Sequence, residues 1–166
     1  MAQEARSEQL HEALRGQLVR LEGLRGLAGE PVWSLAELSG RLIELSGHRG
    51  TSALSLAFRL VLDAQRRGEH VAWIGGRASS FYPPDVDTLG VDLEDLTVVR
   101  VPREDGVAVA AEWLARSGSF GLVVLDLCAS AAVPMALQSR LSSLAQKHDL
   151  AVLCLTEKPG ASQSLS

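Results

Sequence analysis

Lysine is nearly absent from this sequence of 166 residues, in which Lys147 and Lys158 are the only two among 16 basic residues. The net charge is −4, so the chain also lacks the basic excess of a protein built to grip the nucleic-acid backbone. The composition argues against that function for the chain as a whole. It leaves room for a local basic patch, because the remaining basic residues are arginines.

Long hydrophobic runs and a secretory signal are absent as well. The longest apolar runs, residues 122–127 and 151–155, are far shorter than the roughly 18 residues that a membrane-spanning helix needs. The N-terminus is polar and mixed in charge, unlike a signal peptide. With 46% hydrophobic and 22% charged residues, the composition is typical of one globular domain, and we expect a cytoplasmic protein without a membrane contact.

Cysteine and histidine are too sparse to suggest a metal site. Cys128 and Cys154 have apolar neighbours and no C-x-x-C spacing, so we expect two buried, inert thiols. The histidines are scattered without ligand spacing, and the sequence predicts neither a metal nor a cofactor. They are His11, His48, His70 and His148.

A leucine stripe marks the N-terminal segment, residues 1–30, as an amphipathic helix. Its members recur at spacings of three and four and so share one helix face. This face is either packed on the core or serves as a partner-binding arm, and self-association is a further use of the same stripe. The stripe consists of Leu10, Leu14, Leu18, Leu21 and Leu24.

Strand and helix patterns alternate through residues 31–158, before a polar tail at 159–166. Apolar strands separated by helices imply right-handed βαβ units. We therefore predict an α/β fold with a mostly parallel sheet flanked by helices. The strands are predicted at 41–46, 70–75, 97–101, 120–127 and 151–156, and the helices at 52–67, 85–89, 107–116 and 133–148.

The turn from the first strand into the first core helix has the form of a phosphate-binding loop without its lysine. In the G-x-x-x-x-G-K-[ST] loop, backbone N–H groups surround the phosphates and the lysine adds a point charge. Here two residues separate the glycines, and a threonine follows the second. The turn is Gly47, His48, Arg49, Gly50, Thr51 and Ser52.

An ordered set of segments resembles the ATPase core of RecA over residues 40–156. It comprises residues 40–47, the helix end at 63–68, the strand 71–74, the stretch 89–96, and residues 114–118 followed by the strand 122–126. The resemblance implies a RecA-like core. It also implies that Asp126, at the end of the strand 122–126, is the remnant of the Walker B aspartate that helps to hold Mg²⁺.

The departures from RecA predict that ATP hydrolysis is lost. Where RecA has Asp-Ala-Glu after a core strand, with the glutamate activating water, this chain has Gly75, Gly76 and Arg77. A cation at that position, Arg77, cannot act as a general base. Because the loop lysine is also missing, we expect that the protein is not an enzyme. The alternative is residual nucleotide binding or turnover, with Arg49 or Arg77 supplying charge.

RecA-like cores without a working phosphate loop occur in two bacterial families, ImuA and SulA. The N-terminal helix, the Gly-x-x-Gly turn and the stretch Gly90-Val91-Asp92 look more like ImuA, an accessory factor of error-prone translesion synthesis. This resemblance implies an SOS-response adaptor that contacts RecA, ImuB or both. SulA, which blocks division through FtsZ, is the alternative.

Two further expectations follow from the ImuA resemblance. The end of the chain at Ser166 suggests that a C-terminal segment is missing. The DNA-contacting loops of RecA lie partly beyond this point, so we expect direct DNA binding to be weak.

Overall fold

The computed structural model describes residues 33–47, 52–79, 81–87, 89–127 and 133–157. The chain divides into two units between Trp33 and Ser34, and the description below concerns the second unit. The leucine stripe of residues 10–24 lies outside the described residues, so its predicted helix stays a prediction.

Helices and strands alternate along the whole described core, as the sequence predicts. The elements are α1 (Leu35–Leu38), β1 (Leu42–Ser46), α2 (Ser52–Arg66), β2 (Val71–Gly75), α3 (Pro83–Asp87), β3 (Leu96–Arg100), α4 (Gly106–Ser117), β4 (Leu122–Asp126), α5 (Met135–His148) and β5 (Ala151–Thr156).

The strands form one five-stranded sheet in the order β1-β5-β4-β2-β3, and every pairing is parallel. The predicted α/β fold is thereby confirmed. From β2 the chain proceeds outward to β3, whereas from β4 it proceeds in the opposite direction to β5. The neighbouring strands β2 and β4 therefore form the topological switch point, where ligands bind in open α/β sheets.

The burial of the strands explains their sequences. β2, β4 and β5 are buried along their whole length, and each is a nearly continuous apolar run because both sheet faces are covered. The edge strands β1 and β3 are partly exposed and carry the polar residues Glu44, Thr97 and Arg100.

Helices α4 and α5 pack together on one face of the sheet. Ala72 and Ile74 of β2 belong to the hydrophobic core on this side, with Ala111 of α4 and Leu141 of α5. The alternate residue Trp73 is fully buried on the opposite face and stacks on Phe58 of α2 at a centroid distance of 4.7 Å. The two-residue period of a strand thus divides the core into two layers.

The two short helices depart from the sequence prediction. The helix predicted at 85–89 is α3, which begins two residues earlier at Pro83, because proline fits the first helical turn without losing a hydrogen bond. Helix α1 was not predicted, since four residues carry no periodic pattern. Its first N–H, on Leu35, donates to Asp63 Oδ2 of α2 at 2.8 Å.

The ends of the longer elements are set by backbone geometry. Helix α5 begins at Met135, two residues later than predicted, with Pro134 at its N-cap. Helix α4 ends at Ser117, because Gly118 follows with φ of 68° in the left-handed region that favours glycine. The strand predicted at 120–127 is shorter than expected, and β5 matches its prediction.

Candidate functional site

The carboxyl ends of β2 and β4 lie side by side at the switch point, where Gly75 is the register partner of Asp126. The turn after β2 leads over this edge, and the segment after β3 approaches it from the next strand. Asp126, the predicted Walker B remnant, therefore lies where the fold positions a ligand site.

The carboxylate of Asp126 is engaged by the protein itself. Oδ2 accepts a hydrogen bond from the Ser79 hydroxyl at 2.7 Å and a longer one from the Trp73 indole N–H at 3.4 Å. The residue is only 6% exposed. A buried carboxylate needs such donors to offset its desolvation, so the contacts stabilise the charge within the fold.

Two successive glycines, the last residue of β2 and the one after it, create room for this arrangement. A Cβ on Gly75 would overlap the hydroxyl of Ser79, and a Cβ on Gly76 would overlap the carboxylate of Glu104. Neither glycine has a positive φ, so close approach and not backbone conformation requires them.

Glu104 is a second carboxylate at this edge, and no motif in the sequence indicated it. Its Oε1 accepts a hydrogen bond from the backbone N–H of Ala78 at 3.1 Å. Its Oε2 is buried, with no hydrogen-bond partner in the described residues. The available signal was positional, since the segments after neighbouring parallel strands meet at one edge of the sheet.

Arg77 follows these glycines and is exposed at the surface. The described part of this turn therefore carries an exposed cation. Its backbone N–H at Ala78 also binds the carboxylate of Glu104, which belongs to the segment after β3. Arg77 lies in the turn after β2, where the sequence comparison with RecA predicts the loss of the general base.

The predicted phosphate loop is described only at its ends. Gly47 donates its N–H to the carbonyl of Thr156 at 3.0 Å, and Ser52 is the first residue of α2. His48, Arg49, Gly50 and Thr51 lie outside the described residues. Strand β5 separates β1 from β4, which places the end of β1 two strand spacings, about 9–10 Å, from the end of β4.

Trp73, one of the donors to Asp126, belongs to an aromatic cluster. Phe81 contacts both Phe58 and Trp73, at centroid distances of 6.2 and 5.5 Å, and is buried. Its neighbour Tyr82 is 58% exposed. Of this aromatic pair after β2, one ring belongs to the core and the other is available at the surface.

Metal and membrane features are absent from the described part of the chain. No group of three or more histidine, cysteine, aspartate or glutamate side chains there could hold a metal ion. No helix within it is long and apolar enough to cross a membrane. The thiol of Cys154 is buried as expected, whereas Cys128 lies outside the described residues.

Comparison with known proteins gives RecA as a relative. RecA of Fusobacterium nucleatum is 30% identical over 118 residues, which are 71% of this chain and 29% of that RecA. RecA of Thermus thermophilus is 33% identical over 126 residues, which are 69% of this chain and 36% of that protein. The chain therefore spans about a third of the length of the curated relatives it matches.

A structural neighbour shows the same fold. The crystal structure of SulA from Pseudomonas aeruginosa matches with a TM-score of 0.57 at 16% sequence identity, over 71% of this chain and 98% of that one. At this identity, the match shows the fold alone.

A family model covers most of the described core. The model of the MT3502 N-terminal domain matches residues 38–160, from the end of α1 to beyond β5. The chain belongs to the MT3502 N-terminal domain family and has a RecA-like fold.

Proposed function

We propose that this protein is a non-catalytic RecA-like adaptor of the bacterial SOS response to DNA damage. It acts as an ImuA-type accessory factor of error-prone translesion synthesis, through contacts with RecA, ImuB or both. The observation that carries the proposal is the internal use of Asp126, whose carboxylate accepts hydrogen bonds from Ser79 and Trp73.

Three features oppose ATP hydrolysis in this fold. Phosphoryl transfer requires positioned positive charge, a metal ion and an oriented nucleophile. The turn from Gly47 to Ser52 contains no lysine. An exposed arginine, Arg77, stands where the resemblance to RecA places the catalytic glutamate. Asp126 would have to exchange two internal donors for a metal ion. Together these features support a fold retained for its surfaces.

Calorimetry with MgATP tests the loss of catalysis. We expect no binding heat in the micromolar range and no phosphate release above buffer. Glu104 is a candidate base for a residual ATPase, because its carboxylate lies beside Gly76 in the turn where RecA has its catalytic glutamate. Turnover by the wild-type protein that disappears in Glu104→Gln would contradict the proposal and identify an enzyme.

The adaptor function is tested through the leucine stripe. Leu14→Asp combined with Leu18→Asp places two charges on the predicted apolar face, and pull-down of RecA and ImuB should then fail. Val19→Asp, on the side of the predicted helix opposite the stripe, serves as the control and should retain binding. Undiminished capture of both partners by the folded double variant would remove the stripe as the contact.

A SulA-type division inhibitor is the second candidate. The observation in its favour is that the structural match extends over 98% of the SulA chain. Such a protein should filament cells when overexpressed and slow FtsZ assembly when purified. Light scattering of FtsZ with and without the protein decides between the candidates, since the adaptor should leave assembly unchanged.

A further inference from the structure

The outer surface of α4 presents an exposed tryptophan. Trp113 is 69% exposed, and Val109, one turn earlier on the same helix, is 44% exposed. Because the two residues are neighbours on the helix, they form a small exposed apolar patch, and contiguous patches of this kind occur at surfaces that bind a partner. We call Val109, Trp113, Arg116 and Arg140 the Trp113 surface.

Arg116 lies over the indole, and Arg140 shares with Arg116 a contact to the neighbouring Glu112. The guanidinium carbon of Arg116 lies 5.8 Å from the ring centroid of Trp113, within cation–π distance. Both Arg116 and Arg140 contact Glu112 Oε1, with nitrogen–oxygen distances of 2.5 and 3.6 Å. The Glu112 side chain is 10% exposed, whereas the arginine side chains are 61% and 62% exposed. Glu112 contributes one buried negative charge and the two arginines contribute two exposed positive charges, so the net charge of this group at the surface is positive.

The charge of the whole helix layer has the same sign. Glu112 is the only acidic residue in α4 and α5, against three cations, Arg116, Arg140 and Lys147. The complete chain carries a net charge of −4. This layer is therefore a positive region on an acidic protein, and it complements an acidic partner.

We propose that the Trp113 surface docks an acidic segment of a partner protein. An apolar side chain of that segment packs on the indole of Trp113 and on Val109, and its carboxylates pair with Arg116 and Arg140. Tryptophan and arginine are the residue types that dominate the binding energy of protein interfaces. The inference deepens the proposed adaptor function and rests on it.

A protein segment fits this surface better than a nucleic acid does. Single strands bind in basic grooves where successive bases stack on several aromatic rings. In the described residues of α4 and α5, Trp113 is the one tryptophan, tyrosine or phenylalanine, so no second such ring there continues a base stack. Val109, one turn before Trp113 and 44% exposed, suits a leucine or phenylalanine side chain of a protein segment.

Fluorescence anisotropy with labelled peptides tests the proposal on the full chain. The probe is a short peptide of glutamates around a central leucine and phenylalanine, and its matched control has lysines in place of the glutamates. We expect the wild-type protein to bind the acidic peptide alone, with an affinity that falls as salt is added. Trp113→Ala should weaken binding about tenfold or more, and Trp113→Glu should weaken it further.

Matched variants distinguish binding at the Trp113 surface from nonspecific binding of the peptide. Tyr82 is 58% exposed and lies outside α4 and α5, so Tyr82→Ala should bind the peptide as the wild type does. The Trp113 substitutions keep the Glu112 contacts and should leave the melting temperature unchanged. Equal peptide affinity in wild type and Trp113→Ala overturns the proposal.

Two other outcomes also overturn it. Binding of labelled oligothymidine that Trp113→Ala abolishes would identify a nucleic-acid surface. Dimerisation in analytical ultracentrifugation that Trp113→Ala abolishes would identify a second copy of this chain as the occupant.

The same variants separate this inference from the proposed function. If RecA or ImuB binds wild type and Trp113→Ala equally well, the adaptor function stands and the Trp113 surface is removed. If neither protein binds while the acidic peptide still docks at Trp113, the surface stands and those two partners are removed.

Discussion

The carboxylate of Asp126 is held by hydrogen bonds within the fold. In a nucleotide enzyme, an acid at this strand end would face a metal ion. In this protein its Oδ2 accepts hydrogen bonds from Ser79 and Trp73, in surroundings that leave it 6% exposed. The residue thereby connects β4 to β2 and to the turn after β2.

Removal of this carboxylate should therefore destabilise the fold. Asp126→Ala leaves the Ser79 hydroxyl and the Trp73 N–H without their acceptor, and we expect a loss of about 1–3 kcal/mol in the free energy of unfolding. Asp126→Asn keeps an acceptor oxygen and should lose less. Urea unfolding followed by circular dichroism measures both. Wild-type stability in Asp126→Ala would show that these hydrogen bonds contribute nothing.

Gly76 permits a second prediction at the scale of single residues. Gly76→Ala introduces a Cβ that overlaps the Glu104 carboxylate, so the flexible Glu104 side chain must move and give up its hydrogen bond from Ala78, at a cost of about 1 kcal/mol. Glu104→Ala in the same chain should remove most of that cost. Gly106→Ala is the matched control, since its Cβ would meet Val101 at 3.6 Å, an ordinary contact. Additive losses in the double variant would exclude the overlap as the cause.

At the scale of elements, α1 depends on a residue far along the chain. Four residues are too few for an independent helix. Asp63 of α2 compensates by accepting hydrogen bonds from the N–H of Leu35 at 2.8 Å and from Arg67 Nε at 3.0 Å. The start of α1 is thus held by a contact in which the partners lie 28 positions apart.

Asp63→Ala should release this helix while leaving the sheet intact. We expect the amide of Leu35 to exchange with solvent faster, at a cost of about 1 kcal/mol in global stability. Hydrogen exchange measured by NMR reports the Leu35 amide directly. Arg67→Ala removes only the exposed partner of Asp63 and should leave that amide protected. Equal protection in all three proteins would contradict the role of Asp63.

Periodicity explains which elements could be predicted. β5 has matching predicted and observed bounds because it is an apolar run between Asp149 and Glu157. Helix α1 and the start of α3 were missed, since one depends on Asp63 and the other on the local geometry of two prolines. Short elements are specified by their contacts and caps, which a pattern along the chain does not contain.

At the scale of the whole molecule, the sequence indicated the strand that ends at Asp126 and not the contacts that this residue makes. Its donor Trp73 comes from 53 positions away, and Glu104 reaches Ala78 from 26 positions away. Such contacts arise when separate strands are brought together in the sheet, so single-sequence patterns gave no indication of them.

The division of the chain before Ser34 leads to a prediction for a protein shortened to its second unit. All five strands and both helix layers lie between Leu35 and Thr156. A protein that begins at Ser34 should therefore unfold cooperatively, with a melting temperature close to that of the full chain, and should lose RecA and ImuB capture. Thermal circular dichroism and pull-down measure the two properties. A non-cooperative melt would show that residues 1–33 are part of the folding unit.

The contrasting burial of Trp73 and Trp113 gives this protein its own optical reporters. Trp73 is 0% exposed within the aromatic cluster, and Trp113 is 69% exposed on the surface of α4. Iodide in solution should quench the emission of Trp113 and leave that of Trp73 untouched. Trp33→Phe removes the emission of the third tryptophan. In that background, substituting Trp73 or Trp113 with phenylalanine would assign the two remaining signals, so that core integrity and surface occupancy could be followed in one sample without a label.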